Sequence, residues 1–402
     1  MTVNIASPEF KANPFPYFSH LRANEPVHPV ILADKRTAWL VTRYDDVVSV
    51  LKDERLIKNR FNAMTPRQIA KMPWIPKPFM PLMRNMLDLD APDHTRLRTL
   101  VHKAFTPRLV ESMRERVQTL ANDLLDVALR RRQIDLIRDF ALPLPTTIIA
   151  QMLGVAPGDQ NKFHRWSSAL LTIEESQWGM LRGLPHVIAF LRFIRKLVKS
   201  RRMNPQDDLT TALVQAEESG DQLSEDELLA MIFLLLIAGH ETTVNLIGNG
   251  TLALLQHPNQ MQNLRNDPAL IKSAVEELLR FESPLYTATE RFAREDLTIA
   301  GSTVPRGGLI LAVVASANRD QRQFLNPDTL DLSRADNKHL SFGLGVHYCL
   351  GAPLARIEGQ IAIATLLRRT RDLRLGIPPN GVRWRRGLVL RGLEALPTDV
   401  SV

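Results

Sequence analysis

The chain reads as mainly α with a small β region, gathered in one domain over residues 1–402. Three observations predict this class. Helical periodicity dominates from Thr95 to about Gln256. A second apolar stripe at helical spacing, Leu350, Leu354, Ile357, Ile361 and Ala364, follows near the C-terminus. Between them, residues 291–315 alternate short apolar runs with turns at Ala300-Gly301-Ser302 and Pro305-Arg306-Gly307-Gly308, the pattern of a small sheet.

The elements follow in order. Thr37 to Arg43 reads as a strand and Asp45 to Lys52 as a helix. Residues 61–90 hold five prolines and five methionines without a clean period, which predicts a long mobile loop. Turns at Val155-Ala156-Pro157-Gly158, Asn204-Pro205 and Ser219-Gly220-Asp221 divide the helical region. The longest helix is expected from Glu225 to about Gln256. Ser224 and Glu227 form a capping box at its start, and it would run roughly 45–50 Å. Its apolar run, Met231 to Ile237, predicts burial. The final long helix and a short β-prone tail close the chain. No repeat, low-complexity tract or Gly/Ser linker divides it.

Length alone would allow two or three domains, and 45% hydrophobic content is ordinary for a soluble helical protein. No run of eighteen apolar residues occurs, and Met231 to Gly239 is too short to span a bilayer. Met1 to Asn24 lacks a basic segment followed by an apolar core, so neither a signal peptide nor a membrane anchor is expected. A single thiol fits a reduced, cytoplasmic setting. The net charge of +8 gathers at Arg130-Arg131-Arg132 and at Arg195, Lys196, Lys199, Arg201 and Arg202. These lie at the ends of amphipathic helical segments without interleaved aromatics. They read first as solvated helix faces and next as a docking surface for an acidic redox partner. Nucleic acid is a distant third.

Cys349 is the only cysteine, so it cannot form an internal disulfide. An isolated cysteine is usually a small buried hydrophobe, but this neighbourhood argues otherwise. Gly343, Gly345 and Gly351 bracket the thiol and allow sharp turns close to a flat ligand. Pro353 suits the opening turn of the following helix. The sulfur would lie at a helix N-terminus, where thiolate is favoured over thiol. A thiolate on a glycine-rich loop is a fit ligand for a soft metal centre. The segment Phe342-Gly343-Leu344-Gly345-Val346-His347-Tyr348-Cys349-Leu350-Gly351 resembles the haem-ligand loop of the cytochrome P-450 superfamily, in its bacterial version. The resemblance implies a triangular helical prism around a buried haem b, with Cys349 as the axial iron ligand.

Further motifs resemble the same family in order and spacing. Ala238-Gly239-His240-Glu241-Thr242-Thr243 places polar groups inside an apolar helix, where they are costly. The bland reading is a back-bonded threonine pair that bends the helix. The functional one is an acid–alcohol pair, Glu241 with Thr242, in a groove widened by Gly239. The segment resembles the family's oxygen-binding motif, which implies that these two residues guide protons during dioxygen activation. Glu277 and Arg280 alone would be a commonplace surface ion pair. They match the family's Glu-x-x-Arg element, a structural lock that Arg334, in the meander-like stretch Phe324 to Arg334, would complete. His94, Arg98, Arg291 and His347 match the family's propionate-binding positions, and arginine forks suit carboxylates. Ala238, Gly239, Phe342, Gly343 and Gly351 would line the cofactor.

The resemblance implies NAD(P)H-dependent insertion of one oxygen atom from O2 into an apolar small molecule, by hydroxylation or epoxidation. No Gly-x-Gly-x-x-Gly follows a strand, so electrons would come from an external ferredoxin and its reductase. The expected enzyme is a cytoplasmic monomer. A haem-thiolate peroxygenase or isomerase, and a non-enzymatic haem ligand-binding protein, are the rivals. Glu241-Thr242 counts against the first pair; the last would need no proton relay. The expected pocket walls include the 61–90 loop, the 164–192 segment, Ala238, Leu285 to Ala288 and Gly392-Leu393. They bring Trp74, Phe79, Met80, Met83, Met86, Leu170, Leu171, Trp178, Met180 and Leu181, which suit a terpenoid, a fatty acyl chain or a polyketide.

Overall fold

The computed structural model describes residues 4–69, 77–160, 162, 166, 177–218 and 223–401. It is mainly helical with a small β region, as predicted. Two compact units divide it: Met1–Thr65, Arg114–Leu144 and Thr242–Val402 form the first, and Pro66–Met113 with Pro145–Glu241 the second. Three of the boundaries fall inside the helices Pro107–Ala128, Pro143–Met152 and Glu225–Gln256. None of these is a linker, which is why composition gave no sign of a division.

The first unit is built on a five-stranded sheet. Val27–Ile31, Thr37–Val41, Leu309–Ala312, Arg291–Ala293 and Leu56–Ile57 lie side by side in that order. Thr37–Val41 pairs antiparallel with Val27–Ile31 and parallel with Leu309–Ala312. Successive side chains of a strand point to opposite faces. Ala38, Leu40, Leu309 and Leu311 therefore enter one apolar cluster, while Val41, Ile310 and Ala312 enter another. The sheet is covered on both faces. Ile271–Phe281 and Ala352–Arg369 pack closely, and Gly359 is where the latter helix closes on Leu246 of Glu225–Gln256. A Cβ there would lie 2.8 Å from the Leu246 side chain. Pro353 opens Ala352–Arg369, as expected. The tail forms Pro397–Ser401, which pairs with Gln133–Asp135 and Asp372–Leu375.

In the second unit, Thr210 Oγ1 donates to the Leu153 carbonyl at 2.7 Å. Arg201 reaches Asp208 at 2.5 Å and donates to the Gly154 carbonyl. Gly154 itself has φ +74°, a conformation in which a side chain is strained. Arg201 thus departs from the expected solvated face; it is tied to Asp208, which is almost fully buried. The capping box is present: Ser224 N–H donates to Glu227 Oε2 at 2.8 Å and Glu227 N–H to Ser224 Oγ at 3.3 Å.

The expected loop over 61–90 is partly short helix instead. Arg60–Ala63, Pro66–Ile69 and the 3-10 turn Lys77–Met83 are helical. Pro66 and Pro78 fall in the opening turns of these pieces, where a missing N–H costs nothing, and Pro81 sits inside the 3-10 turn. By length and composition alone Glu225–Gln256 could cross a membrane, yet 67% of its most apolar window is buried within the protein. That is the pattern of a core helix.

Candidate active site

The thiol loop begins where Ser341 is tied down. Its Oγ donates to the Leu279 carbonyl at 2.6 Å and also receives the Asn318 amide at 2.9 Å. Gly343 and Gly345 then take φ +70° and +73°, which a side chain would strain. Gly345 also passes close to backbone, since a Cβ would lie 3.1 Å from the Leu51 carbonyl oxygen. After the short turn Gly345–His347, the Cys349 N–H donates back to the Phe342 carbonyl at 2.9 Å. That bond closes the loop. Gly351 is the N-cap residue of Ala352–Arg369, so the half-buried thiol stands two residues before a helix N-terminus. Phe342 is buried and His347 half-buried.

The long helix is unbroken through its polar centre. His240 and Glu241 are buried, Thr242 is half-buried, and Ala238 is exposed although its neighbours along the helix are largely covered. His240 Nδ1 meets the Leu236 carbonyl at 2.7 Å, and its Nε2 lies 3.7 Å from Glu241 Oε1. The histidine is thus back-bonded to the preceding turn. Gly239 differs from expectation. Its missing side chain faces Ile149, 3.3 Å from where a Cβ would be, so the glycine permits close helix packing instead of widening a groove.

His94 is buried near the start of Asp93–Ala104, and half-buried Arg98 follows one turn later. Both belong to the second unit with Ala238, Gly239 and Glu241; Thr242, Arg291, Phe342, Gly343, His347, Cys349 and Gly351 belong to the first. Arg291 tests whether the residues present suit a cofactor that carries carboxylates. It is 4% exposed, donates to the Thr289 carbonyl at 3.3 Å, and pairs with no carboxylate among the described residues. Burial pushes its pKa down to about 10. A cation kept so dry calls for an anion, and a haem propionate would be a fitting one.

The lock is fully buried, unlike the surface pair its spacing alone suggested. Arg280 grips Glu277 through Nε at 2.7 Å and Nη2 at 2.8 Å, and both side chains are inaccessible to solvent. Arg334 Nε and Asn337 Nδ2 each add a bond to Glu277 at 3.1 Å. Among the pocket residues, Met86 is buried with its N–H toward Met231 sulfur, Phe79 and Met83 are half-buried, and Met80 and Leu181 are exposed. Trp74, Leu170 and Leu171, with the side chains of Trp178 and Met180, lie outside the described residues.

One group escaped the sequence reading. Glu358 is fully buried on Ala352–Arg369, and burial, opposed only in part by the Thr243 hydroxyl, pushes its pKa up to about 8. The signal was present: Leu354, Glu358, Ile361 and Thr365 share one helix face, so the acid interrupts an apolar stripe.

The profile of the cytochrome P-450 family matches residues 12–372. The polyketide biosynthesis cytochrome P-450 PksS of Bacillus subtilis (strain 168) is 44% identical over 98% of this chain and 97% of its own. The solved structure of the PksS protein superposes with a TM-score of 0.92 at 42% identity, covering 100% of both chains. A myxobacterial cytochrome P-450 solved in complex with myristic acid gives 0.91 at 41% identity, with 98% of each chain covered. This chain belongs to the cytochrome P-450 family. It is an oxidoreductase of the monooxygenase class, and its cofactor is haem b.

Proposed function

We propose that this enzyme oxidises an apolar small molecule of polyketide, fatty acyl or terpenoid type, drawing electrons from a ferredoxin and its NAD(P)H-dependent reductase. It acts as a cytoplasmic monomer. The observation that carries the reading is the polar step Glu241-Thr242 in an unbroken apolar helix. Bound haem supplies dioxygen binding and oxidising power. The residues do the rest. Cys349 donates its thiolate to the iron, held by the N–H bond to the Phe342 carbonyl. His94, Arg98, Arg291 and His347 neutralise the two propionates. The Glu241 carboxylate takes up protons and the Thr242 hydroxyl passes them inward, while the apolar turns on either side keep bulk water out. The relatives support the substrate class: PksS by its name acts in polyketide biosynthesis, and the myxobacterial structure holds a fatty acid.

A compound screen tests this. Terpenoids, fatty acids and macrolides are added to the ferric protein, and hits are those that shift the iron from low to high spin. Hits should turn over with ferredoxin, reductase and NAD(P)H. Turnover by peroxide alone, with none from NAD(P)H, would return the protein to the peroxygenase reading.

A further inference from the structure

Glu276, His339 and Arg356 meet beside the thiol loop. Glu276 lies on Ile271–Phe281, one residue before the lock. Its carboxylate accepts a fork from Arg356, Nε at 2.7 Å and Nη2 at 2.8 Å, and a third bond from His339 Nε2 at 3.1 Å. The histidine's tautomer follows from its other nitrogen. Ser341 N–H is an obligate donor and points at Nδ1 from 3.2 Å, so Nε2 carries the proton.

Both partners of Glu276 then press on one ring. The Arg356 guanidinium carbon stands 4.4 Å from the Phe342 centroid, and the His339 ring 5.8 Å from it. Phe342 leads directly to the thiol, because its carbonyl receives the Cys349 N–H. Arg356 also reaches the Tyr348 hydroxyl at 3.4 Å. His339 precedes the loop and Arg356 follows it, so one carboxylate ties both of its stems. A partly exposed ion pair is normally worth little. Here the histidine side chain is 3% exposed, the arginine contact is bidentate, and an aromatic ring is held between the two. Although burial pushes the Glu276 carboxyl up, Arg356 and His339 bring it down to about 2, so it stays ionised.

We propose that Glu276 is a positioning residue for the haem-ligand loop: through His339 and Arg356 it clamps Phe342, and with it the backbone that presents Cys349. This rests on the reading of Cys349 as axial ligand. Groups around a ligating sulfur tune both its ligation and the metal's potential.

The test uses the haem-loaded full chain. One readout is how fast the reduced, carbon-monoxide-bound protein loses its red-shifted absorption band in dilute urea; the other is the ferric/ferrous potential. Glu276→Gln should lose the band about tenfold faster, the factor that 1.4 kcal/mol makes, and its potential should shift while the urea midpoint of the helical fold stays in place. Glu276→Asp, which keeps the charge, should restore most of both. Should Glu276→Gln fail to load haem, Arg356→Lys and Phe342→Leu carry the test as a double-mutant cycle. The lysine effect should vanish in the Phe342→Leu background, because no ring remains to be gripped. Wild-type band decay and potential in Glu276→Gln, or an undiminished lysine effect without the ring, would overturn the clamp. Absence of the red-shifted band from the wild type would overturn the ligand assignment itself.

Discussion

Burial lowers the Arg291 pKa to about 10 because the polypeptide offers its charge almost nothing in return. On the proposed propionate role, removing it would leave a propionate without its charge-assisted partner, at a cost of about 1–3 kcal/mol. Arg291→Ala should therefore lose haem during purification, and Arg98→Ala should do likewise. Haem content equal to wild type in both, and in the double variant, would refute the propionate role. Thr242 separates binding from proton delivery. Thr242→Ala should keep a near-normal substrate spin shift and continue to oxidise NAD(P)H. It should release peroxide and form far less product, since a positioned proton relay is worth about 10²–10⁴-fold in the step it serves. Product per NAD(P)H measures this, and unchanged coupling would take Thr242 out of the mechanism.

At the scale of elements, two helices make opposite use of buried acid. On Ile271–Phe281, Glu277 is saturated by Arg280, Arg334 and Asn337. Glu277→Ala leaves the buried Arg280 guanidinium and the half-buried Arg334 without their carboxylate, and breaking a buried pair typically costs about 3–5 kcal/mol. Poorly folded, haem-poor protein should result; a soluble and fully active variant would refute the lock. On Ala352–Arg369, Glu358 instead carries a proton. Its folded pKa of about 8 lies above the ordinary glutamate value of 4.5, so between those values the folded chain holds a proton that the unfolded chain has released. Stability is then lost as pH rises through that window, by about 1.4 kcal/mol per unit, and levels off beyond it. Glu358→Gln removes the dependence. Urea midpoints of variant and wild type should diverge from pH 5 to pH 8 in the variant's favour, whereas parallel profiles would show that Glu358 ionises normally.

At the scale of the whole molecule, what the sequence revealed was what local chemistry encodes. The long helix shows its capping box and apolar run, the thiol loop its glycines, and the lock its helical spacing. Long-range pairings stayed hidden. Val27–Ile31 carries Pro29 and joins the sheet only through Thr37–Val41. The clamp joins residues 63 and 80 positions apart. Nothing in Glu276, His339 or Arg356 taken singly marks them. Gly239 was read for its polar neighbours, while Ile149, ninety positions earlier, decides its role.

The central claim is that this chain activates O2 with electrons from outside itself. Its most direct test is turnover of a spin-shifting compound under ¹⁸O-labelled dioxygen, with ferredoxin, reductase and NAD(P)H. The account predicts one labelled oxygen atom per product molecule, formed only when all three are present. Unlabelled product, or product formed without NAD(P)H, would contradict it.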